Sequence, residues 1–172
     1  MSDNEIAQNK FEAGMAEFVN HNYEQSIQHL SRAIELDPAL TIAFKSRGAA
    51  YLRLNKIEQA IADFNAVVDM DPANARAFHL RGLAYEKTGE NNKALDDFNR
   101  ALELKADYGV VFYSRANLNN KMGRTEQAAE DIRMVTQLTE VNIETFSNAN
   151  NVWHSQQLRL ETMHNDDLAM ER

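Results

Sequence analysis

A period of 34 residues runs through this chain and limits what it can fold into more than any other feature. Phe44, Phe78 and Phe112 recur at that spacing, as do Arg47, Arg81 and Arg115, each arginine followed by a small residue, Gly48, Gly82 or Ala116. Tyr51 and Tyr85 come three residues later. Ala60, Ala94 and Ala128 share the same period, then Phe64, Phe98 and Ile132, while Pro38 and Pro72 close two of the units. The spacing holds over three full units without an insertion. A repeat of this length is one supersecondary unit that cannot bury its apolar face alone, so neighbouring units must stack to do it.

Each unit reads as two helices joined by a tight turn. In the second unit Ala43, Phe44, Gly48, Tyr51 and Leu52 fall at helical spacing along one face, and Asn55-Lys56 breaks the pattern. A second stripe then runs through Ile57, Ala60, Ile61, Phe64, Val67 and Val68. Asp71-Pro72 ends it, because a residue before proline avoids the α region and proline has no N–H for the next helical bond. Gly89 and Gly123 mark the corresponding turns in the next two units, where glycine tolerates a left-handed conformation beyond a helix end. Gly48, Gly82 and Ala116 let the paired helices come close.

This pattern resembles the tetratricopeptide repeat, a 34-residue helix–turn–helix module. The resemblance covers residues 7–142 as four units, 7–40, 41–74, 75–108 and 109–142. Unit one departs from it with Lys10 and Glu17 where the others have aromatics, and unit four with Glu140 for the closing proline and Asn119 for the tyrosine. The implied fold is all-α, a right-handed α-solenoid of helix–turn–helix repeats with a C-terminal capping helix. Residues 1–165 then form a single domain and 166–172 a flexible tail.

The two ends carry their own signals. Ser2 and Glu5 have the spacing of a capping box, so the first helix starts near the terminus. Residues 143–165 form no fifth repeat but place Phe146, Ala149, Trp153, Leu160 and Met163 on one helical stripe after an Asn142 N-cap. That segment is expected to cap unit four. The Phe146, Trp153, Leu160 series is also compatible with a weak dimer, although Gln156 and Gln157 interrupt it.

Composition narrows the function classes. The formal net charge of -8 disfavours nucleic acid and anionic membranes unless basic residues are segregated. With no cysteine there can be no disulfide, thiolate metal site or cysteine nucleophile. No window approaches the length of a membrane span, and the N-terminus lacks the pattern of a secretory signal, so a cytoplasmic location is expected. The five histidines, His21, His29, His79, His154 and His164, lack ligand spacing, and no glycine-rich phosphate loop is present. Adjacent acids such as Asp96-Asp97 diverge on a helix instead of converging on a substrate. Neither a metal, a cofactor nor catalysis is expected.

The row Arg47, Arg81, Arg115 has two readings, a ladder for anionic ligands or one half of a structural ion pair. Asp63, Asp97 and Asp131 recur sixteen residues later in the same units, and unit one lacks both partners, holding Ala13 and His29. Joint presence and joint loss favour the ion pair.

By the resemblance, the first helix of each unit lines the concave surface. The inward positions would be Gln8, Phe11, Met15 and Val19 in unit one and Ile42, Lys45, Ala49 and Arg53 in unit two. Units three and four would add Arg76, His79, Leu83 and Lys87, then Val110, Tyr113, Asn117 and Lys121. That row holds five cations and no carboxylate, while the second helices carry much of the acid, including Glu58, Asp69, Asp96, Glu103, Glu126 and Glu130. The expected site is therefore a groove of Phe11, Met15, Lys45, Ala49, Arg53, Arg76, His79, Leu83, Lys87, Tyr113, Asn117 and Lys121 that takes an acidic or amphipathic peptide. Some co-chaperones of the resembled family clamp the C-terminal carboxylate of heat-shock chaperones with lysine, asparagine and arginine. Here those positions hold Phe11, Met15, Ser46, Arg76 and Leu80, or, one unit along, Lys45, Ala49, Leu80, Val110 and Ser114, and either alignment keeps only one match. The chain thus reads as a non-enzymatic adaptor for a protein or peptide partner, with a small acidic secretion-type chaperone as the alternative.

Overall fold

The structure, a computed structural model, describes residues 2–142 together with 144. They form eight helices and no strand. These are α1 (Asp3–Val19), α2 (Tyr23–Leu36), α3 (Thr41–Arg53), α4 (Ile57–Met70), α5 (Ala75–Thr88), α6 (Asn91–Leu104), α7 (Gly109–Lys121) and α8 (125–142). Each helix packs on its neighbours in sequence, and α1, α3, α5 and α7 also touch in series. The result is a right-handed α-solenoid with the odd-numbered helices along one side.

The start of α1 is capped as its sequence predicts. Ser2 Oγ accepts from the Glu5 amide at 3.3 Å, and the Ser2 amide donates to Glu5 Oε2 at 2.7 Å. The turns inside the four units share one geometry. His21, Asn55, Gly89 and Gly123, again 34 apart, have φ of 65°, 57°, 80° and 74°. The next amide reaches back over the turn in each case, as in Lys56 N to Tyr51 O and Glu90 N to Tyr85 O, both 2.9 Å. This left-handed ending satisfies the last helical carbonyls. Glycine adopts it freely, whereas His21 and Asn55 hold it against a steric cost.

Within a unit the two helices meet at a small residue. A Cβ added to Gly48 would lie 2.7 Å from Phe64 Cε1, and one added to Gly82 would lie 2.6 Å from Phe98 Cε1. Unit one uses the same device in a smaller form, Gly14 against Leu30. Phe64, Phe98 and Leu30 are fully buried as a result. Between units, Phe78 packs on Val67 and Val68 of the preceding helix, which carries the core from one unit to the next.

The arginine row is structural. Arg47 donates from Nε and Nη2 to both oxygens of Asp63 at 2.9 and 2.7 Å, and Arg81 and Arg115 repeat this with Asp97 and Asp131. Each guanidinium also reaches back to the preceding unit, where Nη1 donates to Ser31 Oγ, Asn65 Oδ1 or Asn99 Oδ1. Stacking on Phe44 and Tyr51, or on Phe78 and Tyr85, completes the cage. The bond to aspartate raises the pKa of Arg47 and Arg81, so both remain charged. Unit one, without the pair, joins its helices through Ser26 Oγ, which donates to the Gly14 carbonyl at 2.7 Å.

Two sequence expectations at the C-terminal end meet a different outcome. Asn142, read as an N-cap, lies inside α8, which runs without a break through the place where the other units turn. Thr139, at the site of Asp37 and Asp71, donates its hydroxyl to the Val135 carbonyl and stays helical. The capping segment 143–165 and the tail 166–172 lie outside the described residues, apart from Glu144.

The two classes of glycine should respond differently to alanine. Gly82→Ala drives a methyl into Phe98 and should cost about 2 kcal/mol as an overpacked core. Gly89→Ala meets open space and should cost about 1 kcal/mol through its left-handed φ alone. Urea unfolding of both variants beside wild type measures each loss.

Candidate peptide-binding groove

The odd-numbered helices present two connected depressions. The first, of about 200 Å³, is lined by Phe11, Met15 and Phe18 of α1, Ile42, Lys45, Ser46 and Ala49 of α3, and Arg76 and Leu80 of α5. The second, of about 790 Å³, shares Phe18, Ala49, Arg76 and Leu80 and continues over Leu52, Arg53, Leu83, Glu86, Lys87 and Lys121. Together they form one groove across the first helices of all four units. No residue of α2, α4 or α6 lines either depression.

Nine of the twelve residues expected in the site lie in this groove: Phe11, Met15, Lys45, Ala49, Arg53, Arg76, Leu83, Lys87 and Lys121. Three do not. Tyr113 is 54% exposed and lines neither depression. Asn117 belongs to a separate open depression between α7 and α8, with Ala116, Asn120, Ala128 and Ile132. His79 is turned into the seam between α5 and α7, where its Nε2 lies 3.0 Å from Ser114 Oγ and its ring meets those of Phe98 and Tyr108. The family resemblance put His79 on the inner row, but its imidazole bonds to Ser114 in the seam instead.

The charges are arranged unevenly. Lys45 is half-buried, and its pKa is lowered first by burial and then by the Arg76 guanidinium, with Asp71 opposing. Two cations thus sit side by side at the edge of an apolar basin. Lys45, Arg53, Arg76 and Lys87 form no ion pair among the described residues. Lys121 differs, because its Nζ bonds to Glu86 Oε1 across α5 and α7. The groove therefore contains one carboxylate, at a position outside the expected inner row.

Sequence reasoning passed over Glu86, Leu52 and Phe18, which share one position of the 34-residue repeat. It placed Ser46 and Leu80 only through the clamp comparison. All five residues at the first set of clamp positions, Phe11, Met15, Ser46, Arg76 and Leu80, line the first depression. Among the described residues no cluster of acids and histidines could hold a metal ion, and no helix is long and apolar enough to cross a membrane.

Comparison with known proteins places this geometry. Residues 48–89 match a family model described as TPR repeat, and residues 75–108 match the tetratricopeptide repeat model. Curated protein sequences give no match. Among solved structures, MamA from Desulfovibrio magneticus RS-1 is similar at a TM-score of 0.74 and 24% identity, over 78% of this chain and 76% of that one. The first TPR domain of Spaghetti (RPAP3), bound to the HSP90 peptide SRMEEVD, gives 0.69 and 24% over 71% and 97%. The TPR domain of Arabidopsis OM64 gives 0.68 and 25% over 70% and 99%.

The buried His79 makes acid stability testable. Burial, and secondarily Arg76, push its pKa down to about 4 from the ordinary 6.5. Below pH 6.5 the unfolded chain takes up a proton that the folded chain resists. Stability therefore falls as pH drops from about 6.5 to 4 and levels off below. At pH 5 the loss relative to pH 7 should be about 2 kcal/mol. Urea titrations at both pH values check this, and His79→Gln should remove most of the difference.

Proposed function

Because this chain is a tetratricopeptide-repeat protein, we propose that it works as a non-enzymatic interaction scaffold that holds a partner peptide in the concave groove. The repeat is a non-enzymatic interaction fold. The observation that carries the more specific reading is the pairing of Lys45 and Arg76 beside the apolar basin of Phe11, Met15, Phe18 and Ile42. Each cation raises the cost of the other, and Lys45 is already depressed by burial. A carboxylate placed between them would relieve the repulsion and satisfy both donors. The basin alongside offers a surface for a bulky apolar side chain, the kind of anchor that dominates peptide affinity. The ligand is thus a peptide with an acidic group next to a large apolar residue.

Net charge supports the same choice. The chain carries -8 overall, yet the groove is basic because the exposed acids Glu58, Asp69, Asp96 and Glu103 stand on α4 and α6, away from the lining. A field segregated in this way steers acidic partners to one face. The Spaghetti domain was solved with a peptide ending in Glu-Glu-Val-Asp. Here Phe11 and Met15 stand at two of the polar clamp positions, which favours a ligand with less charge and more apolar surface.

Affinity capture from the source lysate tests the reading, with wild type beside Lys45→Glu/Arg76→Glu after circular dichroism shows equal helicity. A partner bound through the groove should lose at least about tenfold in affinity, or 1.4 kcal/mol, and bind more weakly as salt rises. Equal retention by the two proteins would sink it.

A further inference from the structure

We infer that Glu86 is a specificity-determining residue that divides the groove, confining the acidic part of a ligand to the half formed by α1, α3 and the start of α5. This deepens the groove reading above and rests on it. The equivalent position of the four units reads Phe18, Leu52, Glu86 and Asn120, so it passes from apolar to polar at the third unit. The row beside it passes from Met15, Ala49 and Leu83 to Asn117 at the next step. On the apolar side of this change Lys45, Arg53 and Arg76 line the groove with no carboxylate among the lining residues. On the far side Lys121 is already occupied by Glu86.

The pair is asymmetric. The Glu86 side chain is 17% exposed, whereas that of Lys121 is 66% exposed. Glu86 is therefore a fixed negative charge in the wall, and Lys121 is the mobile partner that neutralises it. An acidic ligand reaching past Leu83 meets the exposed Lys87, but with it either the Glu86 carboxylate or a lysine it must take from that carboxylate. Either event costs energy that the first half of the groove does not demand. The occupant is acidic over Lys45 and Arg76 and uncharged or basic toward α7.

Two fluorescein-labelled peptides test this by anisotropy, a short probe, Phe-Glu-Leu-Glu, and a long one that adds Gly-Glu-Glu-Glu. Wild type should bind both with similar affinity, since the Glu86 carboxylate offsets what Lys87 offers the extension. Glu86→Gln should tighten the long probe by about fivefold, the scale of one partly exposed ion pair, and leave the short one unchanged. Lys121→Ala should weaken the long probe, and Glu86→Gln/Lys121→Gln should return it to the wild-type value. Equal gains on both probes with Glu86→Gln, or no gain on either, would overturn the division while leaving the groove intact. If no variant binds either probe, the acidic-peptide reading fails and the division falls with it.

Discussion

An aromatic ring seated on a glycine backbone sets the distance between the two helices of a unit, and the rest of the repeat is placed by it. Phe64 lies where the Cβ of Gly48 would be, and Phe98 does the same at Gly82. The ring and its seat are sixteen residues apart, and so are the arginine and aspartate one position before each. Once the ring is seated, the guanidinium of Arg47 is opposite the carboxylate of Asp63 without further adjustment. A buried ion pair is weak evidence for stability, since desolvation offsets much of its attraction. Its better-supported role here is register: each arginine bonds one aspartate in its own unit and one polar side chain in the unit before.

That arrangement also decides which cations can meet a ligand. On α3 and α5 the residues at 44, 47, 48 and 51, and their repeats, are used up in pairing and stacking. Positions 45, 49 and 53 emerge on the opposite side and form the groove. Arg47, Arg81 and Arg115 are therefore withdrawn from recognition, while Lys45, Arg53 and Arg76 are offered to it. In units two to four the fold uses one arginine each for its own geometry and leaves its variable charge to the inner row. Selectivity along the groove therefore depends on side-chain identity from unit to unit and on which side chains, unlike His79, stay on the inner row.

The period of 34 made the helix pairs legible, because glycine, phenylalanine, arginine and aspartate each recur at a spacing that only one packing explains. It also identified nine groove residues, through a family resemblance that says which helix faces inward. It failed where a side chain's direction depends on a neighbour and not on helix phase. His79 shares its position with Lys45 and Tyr113, yet Ser114 and the seam between α5 and α7 draw it in. Glu86 was missed because its repeat-mates Leu52 and Asn120 mark the position as no consistent type. The left-handed His21 and Asn55 were obscured for a related reason, since the signal expected at that turn was glycine. Their spacing from Gly89 and Gly123 held the information all the same.

The drift of the fourth unit has a physical cause of the same kind. Units one and two reverse after the second helix because Asp37 and Asp71 accept an amide two residues on, at Ala39 and Ala73, and the prolines between them bar the helix. Lys105 and Ala106 of unit three do neither, yet α6 ends at Leu104 and α7 packs back on it; Thr139 and Glu140 also do neither, and α8 continues. Among the described residues no further first helix then lies over α7 and α8. Phe64 and Phe98 are fully buried, while Ile132 in their place is 43% exposed. The neighbouring positions answer this exposure: buried Leu95 and Leu102 give way to exposed Ala129 and Thr136. Smaller and more polar residues at these positions cost less to expose than the inner pattern would. Among the described residues, the drift of the fourth unit thus accompanies an outer face that no fifth unit covers.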